Sequence, residues 1–127
     1  MNATCPFCTL EPSRIAGANA LAVRFDDGFP LTPGHSLIIP RRHFGSFFEA
    51  TAEERTALLS LLDEAHAEAA RAFSPDGFNI GINDGAAAGQ TVPHLHIHLI
   101  PRRLGDVADP RGGVRWIIPD KARYWPT

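Results

Sequence analysis

The segment Pro93-His94-Leu95-His96-Ile97-His98-Leu99-Ile100-Pro101 alternates imidazoles with aliphatic side chains between two prolines. In an extended strand successive side chains point to opposite faces, and residues two apart lie ~6.6 Å apart along the axis. The alternation predicts a strand over Leu95 to Ile100 that turns Leu95, Ile97 and Leu99 toward a core and lines its other face with His94, His96 and His98. A single histidine on a strand is ordinarily a satisfied surface group. Three at strict alternation, in a chain with 6 histidines, ask for chemistry. Neutral imidazole is a metal ligand, and with a pKa near ~6.5 it also serves as a nucleophile or an acid–base group at pH 7. Three ligands on one straight strand would place the outer pair ~13 Å apart, out of reach of ~2 Å metal bonds, which disfavours one ion held by all three.

Upstream, the loop from Asn83 to Pro93 contains Gly85, Ala86, Ala87, Ala88 and Gly89, small residues that leave backbone N–H groups free to approach a ligand. Further upstream, Thr51-Ala52-Glu53-Glu54 is a capping box that opens a long helix. Leu58, Leu62, Ala65, Ala69 and Phe73 form its expected buried stripe, and Ser74-Pro75-Asp76-Gly77 ends it. Short β-like runs cover Leu21 to Phe25, Leu37 to Ile39, Phe78 to Asn83 and Val114 to Ile118. Two strands before the helix and two or three after it argue against repeated βαβ winding. They favour an α+β domain with a mainly antiparallel five-stranded sheet packed by one long helix.

A chain of 127 residues and 13.8 kDa has room for one core, so residues 1–127 are expected to form a single domain. Apolar residues at 44% and charged residues at 20% match an average globular domain and exclude collagen-like, coiled-coil and low-complexity classes. The net charge of −2 recruits neither nucleic acid nor an anionic membrane. With no apolar run near ~20 residues and no signal-like start, the expected location is the cytoplasm. The acid-rich stretch from Glu49 to Asp76 reads as a wet helix face, and the basic residues after Pro101 as solvated surface. Cys5-Pro6-Phe7-Cys8 holds both cysteines, which excludes a multi-disulfide scaffold. It leaves half of a zinc site, a redox pair or two incidental thiols open.

The run Asn83-Asp84-Gly85-Ala86-Ala87-Ala88-Gly89-Gln90-Thr91-Val92-Pro93-His94-Leu95-His96-Ile97-His98 resembles the signature of the histidine triad (HIT) family of nucleotide hydrolases and transferases. Asp27 followed by Leu31-Thr32-Pro33-Gly34-His35-Ser36-Leu37-Ile38-Ile39-Pro40 is similar to that family's sugar-contact region, and the likeness runs from Cys5 to Arg103. The resemblance implies that His96 attacks a nucleotide α-phosphorus, with its tautomer held by a backbone carbonyl near His94. It implies that His98 donates to a phosphate oxygen, that Gln90 and Thr91 position the phosphates and leaving group, and that Gly89 adds backbone donors. Asp27 would accept from ribose hydroxyls, Asn83 would bind near the phosphates, and Phe25 and Leu37 would wall the base, with plain core packing as their alternative. Family members that begin with C-x-x-C complete a structural zinc site, which here would be Cys5, Cys8, His43 and His94.

Within the family, the Gly-Gln-Thr-Val and Leu-Ile-Pro-Arg segments are closer to dinucleoside polyphosphate hydrolases than to purine nucleoside phosphoramidases. A non-catalytic nucleotide-binding module is the contrasting class. Residues 1–103 would be the family core. The segment 104–127, with Trp116, Tyr124 and Trp125, is too aromatic to stay in water and should dock. It would dock on its own domain or across a homodimer, as the family does, with Arg115 or Trp116 near the partner's site.

Overall fold

The computed structural model describes residues 2–126. Five strands, β1 (Ile15–Ala18), β2 (Ala22–Asp26), β3 (Ser36–Pro40), β4 (Gly77–Gly81) and β5 (Ile97–Arg102), form one sheet in the order β1-β2-β3-β5-β4, with every neighbouring pair antiparallel. One long helix, α1 (Ala52–Phe73), packs on one face, and a short helix, α2 (Pro119–Ala122), closes the chain. The α+β architecture expected from the sequence is therefore present. Among the described residues no helix is long and apolar enough to cross a membrane.

The capping box forms as read. Thr51 Oγ1 accepts the Glu54 N–H at 3.0 Å, and Glu54 Oε1 accepts the Thr51 N–H at 2.9 Å. Glu54 is buried and is gripped by Arg42 through two charge-assisted bonds of 3.1 and 2.8 Å, which ties the helix start to the chain leaving β3. The buried stripe is Leu58, Leu61, Ala65 and Ala69. Leu62 is only half-buried and Phe73 is exposed, because the helix presents the Leu61 side of its apolar face to the sheet. Leu95, Ile97 and Leu99 enter that core with Ile38, as the alternation predicted.

Three strand expectations need correction. Val114–Ile118 is not a strand. Residues Gly113–Ile117 form a 3-10 helix, entered through Gly112 and Gly113 at φ 93° and 43°, a left-handed start that cannot feed an extended strand. The fifth strand is Ile15-Ala16-Gly17-Ala18, an edge segment with a bulge whose small residues carry no β-branched signal. Finally, β5 begins at Ile97, so of the three alternating histidines only His98 lies in the sheet ladder. Before it, the Leu95 N–H is taken by the Phe44 carbonyl at 2.7 Å, and the chain bends away from strand pairing.

The second face of the sheet carries the candidate site residues. Phe25 pairs with Leu37, Leu37 with His98 and His98 with Gly81, so these side chains form one row across four strands. Phe7 and Leu10 pack over the Val23, Phe25, Leu37 and Ile39 end of this face. The tail covers the other end, with Gly113 against Asn79 of β4. The histidines lie between these two covers. The acid-rich stretch is not purely a wet face, since Glu64 and Glu68 pair with buried Arg24.

Candidate active site and metal cluster

His94, His96 and His98 follow one another between the two covers, the first two buried and His98 partly exposed, and each has one ring nitrogen assigned by its surroundings. His96 is buried, and its Nδ1–H donates to the His94 carbonyl at 2.8 Å. A carbonyl can only accept, so in the neutral imidazole this bond keeps the proton on Nδ1 and places the lone pair on Nε2, where it can meet an electrophile. Phe7 stands edge-on to the same ring at 5.2 Å between centroids, and His98 is 5.2 Å away on the other side.

The tautomer of His98 is set from further away. His35 Nδ1 accepts the Leu31 N–H at 3.0 Å, so the His35 proton is on Nε2. That Nε2–H lies 2.9 Å from His98 Nδ1 and 3.3 Å from Asp27 Oδ2. His98 therefore accepts on Nδ1 and carries its own proton on Nε2 as a donor. Burial holds both His35 and His98 below the ordinary histidine pKa, the neighbouring His96 and His35 add to this at His98, and Asp27 opposes it in both cases. Both rings are neutral at pH 7.

This relay was not visible in the sequence, where His35 carries no case of its own. It depends on register. Leu37 lies opposite His98, so His35, two residues earlier on the same face, is its diagonal neighbour. Gly34 allows the tight turn before it. Its φ is 89°, and a Cβ there would meet the Phe73 ring at 2.8 Å.

The remaining expected site residues are placed as follows. Asp27 is largely buried, accepts the Phe29 N–H at 2.8 Å through Oδ1 and turns Oδ2 to His35, so it serves the relay. Phe25 and Leu37 are buried beneath Phe7 and Leu10, two residues not singled out in the sequence for this wall. Gln90 clamps the small-residue loop. Its Oε1 accepts the Gly85 N–H at 2.8 Å, and its Nε2 donates to the Gly45 and Val92 carbonyls at 3.0 and 3.2 Å. Asp84 fastens the same loop by accepting from the Ser46 hydroxyl and the Phe47 N–H. Asn83, Gly89 and Thr91 are exposed on the loop, and Asn83 lines a cavity together with His98. Tail residue Trp116 lines that cavity too, so within one chain the tail docks beside its own site.

A second cluster joins the N-terminus to the start of the histidine run. Cys5, Cys8, His43 and His94 bring one donor atom each within 4.8 Å of one another. Sγ of Cys5 and Cys8 lie 3.5 and 3.6 Å from His94 Nδ1, His43 Nδ1 lies 3.2 Å from Cys8 Sγ, and the two Nδ1 atoms are 3.2 Å apart. Tetrahedral bonds of ~2.3 Å to sulfur and ~2.0–2.1 Å to nitrogen would set such donors about 3.3–3.7 Å apart. The far nitrogen of His94 supports this reading, because Nε2–H donates to the Pro40 carbonyl at 2.8 Å and leaves the Nδ1 lone pair facing the cluster. These four residues can hold a metal ion.

Comparison with known proteins agrees with this geometry. A family model described as the HIT domain matches residues 9–105. The bis(5'-nucleosyl)-tetraphosphatase of Schizosaccharomyces pombe is 37% identical over 97 residues, covering 76% of this chain and 53% of that protein, so the chain spans about half of that relative's length. A zinc-bound histidine triad family protein from Mycobacterium smegmatis has a TM-score of 0.71 at 35% identity, covering 84% of this chain and 80% of that one. The diadenosine triphosphate hydrolase of Plasmodium falciparum gives 0.73 at 29% identity, covering 79% and 68%.

Proposed function

The chain belongs to the HIT family, and from that premise we propose that it is a hydrolase acting at a nucleotide α-phosphate, with His96 as nucleophile. The bond between His96 Nδ1–H and the His94 carbonyl carries this reading, because it frees Nε2 beside a neutral His98 that presents an N–H. Nε2 attacks the phosphorus and forms an N–P bond, while the leaving group departs with the electrons of the bond it loses. Water then displaces His96, releasing the nucleoside monophosphate and dividing one displacement into two. His98 Nε2–H donates to the phosphate oxygen where charge grows, and the exposed backbone around Gly89, held in shape by Gln90, adds donors with Thr91 and Asn83. Phe7, Leu10, Phe25 and Leu37 form the apolar wall for the base, and Asp27 is the nearby carboxylate for the ribose.

The metal of the second cluster is zinc in this reading, a structural crosslink between the N-terminal segment and the histidine run. Its thiols require a reducing compartment, in keeping with the cytoplasm. Residues 1–103 make up the catalytic core and 104–127 a docking segment of the same domain, and two such chains pair as a homodimer. The named activities of relatives favour dinucleoside polyphosphates as substrates, with phosphoramidates as the second reading.

Turnover of diadenosine polyphosphates and adenosine 5'-phosphoramidate, with kcat/KM for each, tests the reading. His96→Asn should lower kcat by 10³-fold or more, and acid quenching of the native protein should trap a nucleotidyl adduct on His96. Full activity in His96→Asn, or binding of AMP without turnover of either bond type, would leave only a binding module.

A further inference from the structure

The wall expected for the base is itself covered in this chain. Phe25 and Leu37 are 1% and 4% exposed, so a ligand meets the groups that lie over them. Phe7 stands edge-on to the Phe25 ring at 5.5 Å between centroids, and the guanidinium carbon of Arg14 stands over the same ring at 5.3 Å. Leu10 packs on the same end of the sheet. Phe7 and Leu10 are half-buried and Arg14 is exposed, so the accessible wall consists of two apolar side chains and one cation.

Arg14 is placed there by its surroundings. It ends the 3-10 turn Pro12–Arg14, and the next residue, Ile15, pairs with Phe25. Its Nη2 donates to the Asp26 carbonyl at 3.0 Å, and a Cβ at Gly28 would stand 3.6 Å from the same nitrogen. The guanidinium therefore bridges the Phe25 ring and the turn that carries Asp27, the carboxylate for the ribose. A base joined to that ribose and resting on Phe7 and Leu10 is flanked by it. A guanidinium offers five N–H donors and no acceptor, and the bond to Asp26 is the one side-chain bond that Arg14 makes among the described residues. Apolar contact area cannot tell one purine from another. A group that only donates can, because guanine and hypoxanthine present two acceptors, O6 and N7, on one edge, whereas adenine sets a donating amino group beside N7.

We propose that Arg14 selects the base, favouring a 6-oxopurine over adenine in the nucleotide whose α-phosphate faces His96. The inference rests on the α-phosphate reading. It keeps dinucleoside polyphosphates as the favoured class and names the base that the site prefers within it.

Calorimetric titration of the native protein with GMP, IMP and AMP gives the test, since monophosphates are products and bind without turnover. GMP and IMP should bind about tenfold more tightly than AMP, and kcat/KM for diguanosine tetraphosphate should exceed that for diadenosine tetraphosphate by a similar factor. Arg14→Met keeps an unbranched side chain over Phe25 without the donors, and should bring the GMP to AMP ratio within about twofold of one while leaving AMP affinity nearly unchanged. Equal binding of GMP and AMP by the native protein, a tighter AMP, or a preference that survives in Arg14→Met would each overturn the selector. IMP binding as weakly as AMP would move recognition to the 2-amino group of guanine and overturn it too. Equal weakening of all three ligands in Arg14→Met would assign the guanidinium to phosphate or sugar, with the same result. A GMP preference in binding with no turnover of either tetraphosphate would keep the selector and remove the hydrolase. Turnover without a base preference would do the reverse, and no binding of any nucleotide would remove both.

Discussion

Two clusters of ligand-type side chains flank His96, and they differ in where their protons lie. Cys5, Cys8, His43 and His94 on one side and Asp27, His35 and His98 on the other each bring their donor atoms within 4.8 Å. In the first, His94 points a proton outward to the Pro40 carbonyl and a lone pair inward. In the second, the Leu31 N–H fixes a lone pair on the outer nitrogen of His35, so its inward nitrogen carries the proton. A cation would meet a free lone pair in the first and an N–H in the second. The outer hydrogen bond, more than the count of nearby ligands, separates a metal site from a proton-ordering relay.

Of the two clusters, the first gives the larger expected effect when broken. Protein purified without added metal should hold about one zinc per chain, and Cys8→Ala should hold far less. Phe7 sits between the two cysteines and touches the rings of Phe25 and His96 at 5.5 and 5.2 Å. Metal loss should therefore loosen the base wall together with the nucleophile. Chelation should lower Tm by 10 °C or more and kcat/KM by about 10–100-fold, with KM rising. A metal-free protein that keeps its Tm and its KM would show that the four residues are only a polar cluster.

His35→Phe breaks the second cluster and should have a smaller, differently distributed effect. Phenylalanine keeps a ring in place but offers neither an acceptor to the Leu31 N–H nor a donor to His98 Nδ1, so the His98 tautomer becomes free. We expect a fall of about tenfold in kcat, KM within about twofold and unchanged zinc content. His35→Leu should behave alike. Zinc loss from either variant, or a kcat equal to that of the native protein, would remove the relay and with it the contrast between the clusters.

How far these regions were legible follows from the reach of the forces that build them. The helix was readable because its signals are local: Thr51 and Glu54 are three residues apart and cap each other. The core side of the histidine run was readable for the same reason. β1 was missed because Ile15-Ala16-Gly17-Ala18 forms an edge strand with little side-chain burial. The tail was misread because Val114 to Ile118 has strand-like composition, while the backbone of Gly112 and Gly113 decides its turn. His35 is 63 residues from His98, and only the β3–β5 register joins them. The ligand set came from family resemblance, since no spacing rule links Cys5 to His43 and His94. The roles of the tail arginines were equally hidden. Arg111, Arg115 and Arg123 stack on Trp125, Tyr124 and Trp116 and hold the tail together, so they are more than solvated surface.

The smallest expected effect is the pH response of the relay, and its sign distinguishes it from the metal cluster. Burial lowers the pKa of folded His35 and His98 below the ~6.5 of the unfolded chain. As pH falls through 6.5, the unfolded chain takes up protons that the folded relay refuses, so stability declines until the lowered folded values are reached. Below them the contribution of these two groups is fully lost. Activity should hold through 6.5 and fail only at lower pH, when His98 and His35 both charge and Nδ1 can no longer accept. Zinc release, followed with a chromophoric chelator in the same titration, separates the two clusters. The relay predicts loss of kcat before metal appears in solution, together with a fall of a few degrees in Tm that is shallower in His35→Phe. An acidic limb at or above 6.5, or one that coincides with zinc release in both proteins, would assign the pH response to the metal cluster instead.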